Sequence, residues 1–282
     1  MNPTAVRDSI HQHPFAFSTI VVAAFGGIDV LLKVLLVDLL SLSLPVATIG
    51  IISGFVVSVL GAFVVRRLGL WRELGFIGRP ASTRPLLWFI PFLLYGLLPL
   101  TAGPDVSGAN VAAVVACGLL IAFWKLVVLA LVLFSWLPRG LRSAAAITAA
   151  MWSGMHLIFG ILAGNPALPT LVLAISYAFL AFAFVAVRLR TGLLWPLMPC
   201  YGMFLAAAAS VQGDEASNLA TSVADLLAPL VVSALLGLYS LIAWPRRSQQ
   251  SVGGGPGPGR PHPSDGMTSN TERRRSSSER PG

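Results

Sequence analysis

Acidic and lysine side chains are what this 282-residue chain has least of. It holds 11 Asp and Glu together, four of them Glu, and only two Lys. Charged residues are 11% of the sequence, against about 25% in an average soluble domain. A chain of this length with so little charge cannot clothe an aqueous surface, which excludes an ordinary water-soluble enzyme or binding module. Cysteine is almost as rare: Cys117 and Cys200 both sit in apolar runs, at no metal-ligand spacing. That excludes a disulfide framework and leaves two small buried hydrophobes. Of four histidines, only His156 falls inside an apolar run.

What is abundant is hydrocarbon: 56% of residues are hydrophobic and the mean hydropathy is +0.80. A helix needs about 20 apolar residues to cross a bilayer, because unpaired backbone groups cannot be left in lipid. Eight runs qualify, at 15–40, 44–65, 85–102, 108–136, 143–163, 167–188, 192–211 and 224–244. The first is too long for a signal-peptide core and has no clear cleavage site, so it reads as an uncleaved span. With the N-terminus inside, all 17 arginines fall on the cytoplasmic side, whereas the opposite loops hold only Asp105, Asp214, Glu215 and nearby Asp225. The net charge of +8 is therefore a topology signal and not a nucleic-acid footprint. The expected fold is all-α: a polytopic membrane helical bundle of about eight transmembrane helices, with both termini cytoplasmic, in the cell membrane. Residues 1–14 form a cytoplasmic segment and 15–246 the membrane domain. Residues 247–282, dominated by Gly, Pro, Ser and Arg, form a disordered tail.

The ionisable residues left inside spans are few. Asp29 and Lys33, four apart, can neutralise each other on one helix face. They read as a structural ion pair or as part of an ion pathway. Lys125 has no carboxylate within one turn, so it snorkels or pairs with Asp29 or Asp38. Gly50-x-x-x-Gly54 and Gly160-x-x-x-Gly164 allow close helix approach. Between spans two and three, the stretch WRELGFIGRP (71–80) reads as an interfacial element with Trp71 at headgroup depth.

Three motifs stand in a fixed order: Arg139-Gly140 at the end of span four, Trp152-x-x-x-His156 in span five, and Arg190-Thr191-Gly192-Leu193-Leu194-Trp195-Pro196 before span seven. Together with WRELGFIGRP, over roughly 66–210, this arrangement resembles the CPBP family of intramembrane proteases, the CAAX-processing and bacteriocin-processing group. The resemblance implies an intramembrane endopeptidase scaffold in which His156 and Arg139 are the family-equivalent site residues. It also implies a Glu-Glu pair where this chain has Phe134 and Ser135, and a second His and its polar partner where it has Tyr201 and Leu205. Peptide hydrolysis needs a base within hydrogen-bond reach of its proton, and a zinc site about three His, Cys or carboxylate ligands. With neither at the equivalent positions, the expectation is a catalytically degenerate member with no cofactor. It would bind a lipid, peptide or membrane-protein partner without cutting it.

Two alternatives remain at this point. One is an active endopeptidase with a rearranged site using Asp29 or Asp38 as base; the other is a small-molecule transporter, although no internal repeat supports it. A Ser135–His156 dyad is conceivable, but a serine bonded to its own helix is the simpler reading. His156 itself is either a polar residue satisfied by Tyr201 or Ser135, or the remnant of a functional centre.

Overall fold

A computed structural model describes residues 3–39, 46–80, 82–98, 111–162, 164–212 and 223–245. Contacts divide the chain into Met1–Trp244, which holds the helical bundle, and Pro245–Gly282. The expected tail, the loop carboxylates Asp105, Asp214 and Glu215, and the side chains of Asp38 and Asp225 lie outside the described residues. Nine α-helices occur among the described residues, and no strand.

Helix α1 (Pro3–Gln12) and α2 (Pro14–Val34, continued by a π-helical turn over Leu35–Leu39) are separated at His13. Pro14 causes the break: its ring drives the preceding residue out of the helical region, while its missing N–H costs nothing at a helix start. Two arginines hold helix α1, one from its middle and one at its C-terminal end. Arg7 donates to Glu73 Oε1 at 2.6 Å and to the carbonyls of Leu68 and Gly69. Arg139 donates to the terminal carbonyls of His11 and Gln12, at 3.0 and 3.4 Å.

Helix α3 (Val46–Leu68) stops at Gly69, whose φ of 65° supplies a left-handed end. A 3₁₀ turn (Arg84–Phe89) leads into α4 (Ile90–Leu97). Helix α5 (Val111–Trp136) is the centre of the bundle, buried on every face from Leu126 to Ser135. An all-round apolar helix is stable only with neighbours on all sides. Here those neighbours are α2, α3, α6 (Leu141–Leu162) and α8 (Leu197–Gln212). Helix α7 (Ala167–Thr191) packs against α6 and α9 (Val223–Ala243).

Five helical stretches are long and apolar enough to cross a membrane: Pro14–Val37, Thr48–Leu68, Val111–Arg139, Leu141–Leu162 and Ala167–Thr191. Shorter apolar helices at Arg84–Leu97, Leu197–Ala207 and Leu227–Ala243 overlap the remaining expected runs. The outside of the bundle carries exposed Phe15, Phe55, Leu162 and Ile242, an apolar surface that suits lipid and not water.

Close helix approach is achieved partly by glycines other than those expected. Gly50 and Gly54 do pack on Cys117, Leu120 and Ile121 of α5, and Gly160 on Thr170. Gly164, however, faces open space with φ 74° and serves the turn after α6. The tightest approach among small residues is Gly118 against the Gly202 carbonyl and Ala206, where any side chain on α5 would collide with α8. Trp71 is turned inward, its ring 5.8 Å from Phe76 and 6.3 Å from Phe123. Its neighbours Leu70 and Leu74 are buried, so hydrophobic contact holds this loop to the bundle.

Candidate functional site

The ionisable residues deep within the long apolar helices gather where α2, α5, α6 and α7 meet. Asp29 and Lys33 form the expected pair, Lys33 Nζ donating to Asp29 Oδ2 at 2.7 Å. Asp29 Oδ1 is buried and has no hydrogen-bond partner among the described residues. Lys125 on α5 lies within electrostatic range of Asp29 and Lys33, but its amine is committed elsewhere. Nζ lies 3.1 Å from His156 Nε2 on α6 and above the rings of Trp124 and Tyr177, 5.9 and 5.6 Å from their centroids. Among the described residues Lys125 makes no ion pair with a carboxylate, Asp29 being taken by Lys33, while the side chain of Asp38, the other expected partner, lies outside them. An imidazole lone pair and two π faces hold it instead.

The hydrogen bonds also assign the state of His156. Nδ1 is 2.9 Å from the carbonyl of Trp152, one turn earlier. A carbonyl only accepts, so Nδ1 carries the proton and Nε2 is the acceptor for Lys125. Tyr177 on α7 covers the imidazole, their rings stacked with centroids 3.7 Å apart. Both nitrogens and one face are thus occupied by Lys125, Trp152 and Tyr177. Neither Tyr201 nor Ser135, the expected partners, touches the ring.

Ser135 belongs to a different layer. It lies ten residues beyond Lys125 on α5, roughly 15 Å along the axis at the α-helical rise. Its hydroxyl donates to Val132 O at 2.8 Å and accepts from Ser18 at 3.0 Å, while Ser18 accepts from Trp136 Nε1. This buried chain ties α2 to the end of α5 and uses up the serine's proton. A Ser135–His156 dyad is absent for that reason. Phe134 packs its ring 4.7 Å from His11. Arg139, exposed at the bundle's end, caps α1 and stacks its guanidinium 5.2 Å over Trp136.

Tyr201 on α8 is almost fully buried, its ring against Phe184 at 5.4 Å and its hydroxyl without a partner among the described residues. It lies within electrostatic range of Tyr177 and so borders the His156 cluster without joining it. Leu205 is half-buried one turn further on. Of the four predicted site residues, only His156 sits in the polar cluster; Arg139 and Ser135 lie at the bundle's end. Among the described residues no three of His, Cys, Asp and Glu converge on one point.

The Arg190–Pro196 turn has a complete local explanation. Gly192, with φ 75°, ends α7 in the left-handed conformation and returns its N–H to Arg188 O at 2.9 Å. Thr191 Oγ1 donates to Val187 O and accepts from Leu193 N. Arg190 lies 4.4 Å over the Trp88 ring. The turn then docks on the 71–80 loop: Leu194 N and Trp195 N both donate to Gly75 O, at 2.8 and 3.2 Å. Arg188 clamps the junction, donating to Leu74 O at 3.0 Å and to Glu73 O. Two stretches that the sequence singled out separately are one structural joint.

No family model, curated protein or solved structure matches the chain.

Three residues of functional interest are not evident from the sequence: Lys125 as the partner of His156, Tyr177 as its cover, and Arg188 as the clamp. A signal exists for the first. Lys125 and His156 are the lone strongly polar groups deep in consecutive helices joined by a short turn, so antiparallel packing brings them to similar depth. Tyr177 has none, being one aromatic in an apolar helix.

Proposed function

We propose that this chain is an eight-span protein of the cell membrane with both termini cytoplasmic. Its frame is that of the CPBP intramembrane proteases, and it works as a membrane binding or regulatory protein without peptide hydrolysis. The carrying observation is the occupation of His156. A histidine that activates water must offer Nε2 to that water, or orient it beside a carboxylate. Here Nε2 accepts from Lys125, Nδ1 is spent on Trp152 O, and a cationic side chain stands where a base would be needed. Phe134, Ser135, Tyr201 and Leu205, at the positions of the missing catalytic groups, are used in packing and in a structural hydroxyl chain. The eight-span topology draws on the one-sided arginines and on the three shorter apolar helices that accompany the five long ones.

A second reading, an active endopeptidase with Asp29 as base, draws on Asp29 Oδ1, which is buried near Lys125 and has no hydrogen-bond partner among the described residues. One experiment separates the two. The chain is reconstituted in liposomes with membrane-associated peptide substrates, and wild type is compared with His156→Ala and Asp29→Asn. The binding reading predicts the same background cleavage in all three. Cleavage by wild type that either substitution abolishes would overturn it.

A further inference from the structure

A groove of about 480 Å³ opens at the end of the bundle where α3 and α7 terminate, lined by Arg72, Phe76, Ile77, Gly78, Arg79 and Trp195. Its two walls are the 71–80 loop and the Arg190–Pro196 turn, fixed to each other through Gly75 O and the Arg188 clamp. The groove is therefore preformed.

The charge around it is unbalanced. Glu73, the acidic residue of the 71–80 loop, is taken by Arg7. Arg188 is used up on backbone carbonyls. Arg72 and Arg79 are exposed, and their guanidiniums make no ion pair or hydrogen bond among the described residues. Between them the surface is apolar: Ile77 is 56% and Trp195 39% exposed. Two free guanidiniums flanking an open aliphatic and indole surface complement a molecule with an anionic head and a hydrocarbon body. A free phosphate ion would use the arginines and leave Ile77 and Trp195 with nothing to cover them.

We infer that this groove binds an anionic phospholipid, its headgroup phosphate between Arg72 and Arg79 and its glycerol and upper acyl chain along Phe76, Ile77 and Trp195. Guanidinium–phosphate hydrogen bonds are short and charge-assisted, and indole rings favour the membrane–water boundary. The inference needs the membrane setting of the bundle but not the reading of His156.

The test is native mass spectrometry of the full chain in neutral detergent, titrated with phosphatidylglycerol or phosphatidylcholine. Phosphatidylglycerol is expected to be retained in preference. Arg72→Gln/Arg79→Gln should weaken it by about thirtyfold, from roughly 1 kcal/mol per basic residue near a membrane surface. Arg66→Gln/Arg67→Gln removes equal charge from α3 outside the groove and should change binding by about threefold or less. Equal retention of both lipids, or equal loss in the two double variants, would overturn the inference. So would displacement of phosphatidylglycerol by inorganic phosphate in a protein where Ile77→Ser/Trp195→Ala has no effect. Should Arg72→Gln/Arg79→Gln prevent folding, that same apolar pair keeps the test intact, since it must lower lipid binding with both arginines present.

Discussion

The loop–turn joint at Gly75 and the His156 cluster use polar residues in opposite ways. At the joint, Arg188, Thr191 and the amides of Leu194 and Trp195 are all spent on backbone partners. Such bonds satisfy helix ends and loops that would otherwise leave orphan carbonyls in an apolar bundle. In the cluster, Lys125, His156 and Tyr177 meet one another across three helices. Nearby, Asp29 Oδ1 and the indole N–H groups of Trp124 and Trp152 are buried without partners among the described residues. Polar groups satisfied by the backbone hold a fold together. Polar groups paired with each other across helices in an apolar interior cost stability and mark where a function would sit.

That contrast can be broken most severely at the joint. Gly75→Val places a Cβ within 2.7 Å of Arg188 Nε and Gly192 O, at a φ of 84°. Combined backbone strain and overpacking should cost about 3 kcal/mol or more, read as a fall in melting temperature in detergent. Arg188→Leu removes the clamp and leaves the Leu74 and Glu73 carbonyls unpaired, for a loss of about 2–3 kcal/mol. Both variants should leave the Lys125–His156 contact unchanged.

In the cluster the expected effects are smaller and coupled. A double-mutant cycle of Lys125→Met and His156→Phe should give an interaction energy of about 1.5 kcal/mol. The double variant should be more stable than the sum of the singles predicts, because it removes both halves of the pair and restores an apolar interior. A coupling near zero would place Lys125 outside the cluster. Ser135→Ala breaks the Ser18–Ser135–Val132 chain and should cost about 1 kcal/mol, with no effect on any histidine readout. At the exposed end of the bundle, Arg139→Gln uncaps α1 for about 0.5 kcal/mol, the smallest change of the set.

The long helices were legible because each is a continuous apolar run. The end of α7 was legible because Gly192 and Pro196 are residues that stop helices. Asp29–Lys33 was legible because a spacing of four is a property of one helix. Lys125–His156 is 31 residues apart in sequence and depends on how α5 and α6 register against each other, which no local spacing records. The approach of α8 to α5 through Gly118 and Gly202 was hidden for the same reason. The motif order that suggested a protease centre is likewise a property of the chain and not of space. Arg139 and Ser135 end up at the bundle's rim and His156 deep within it, because α5 and α6 are long enough to carry them apart.

What occupies the two nitrogens of His156 decides between a spent histidine and a working one. Solid-state ¹⁵N NMR of histidine-labelled protein in lipid reads this directly. The predicted spectrum is a neutral ring protonated at Nδ1, with an Nε2 resonance that shifts in Lys125→Met while Nδ1 stays in place. A ring protonated at Nε2, a doubly protonated ring, or an Nε2 resonance indifferent to Lys125→Met would contradict a histidine held by Lys125 and Trp152.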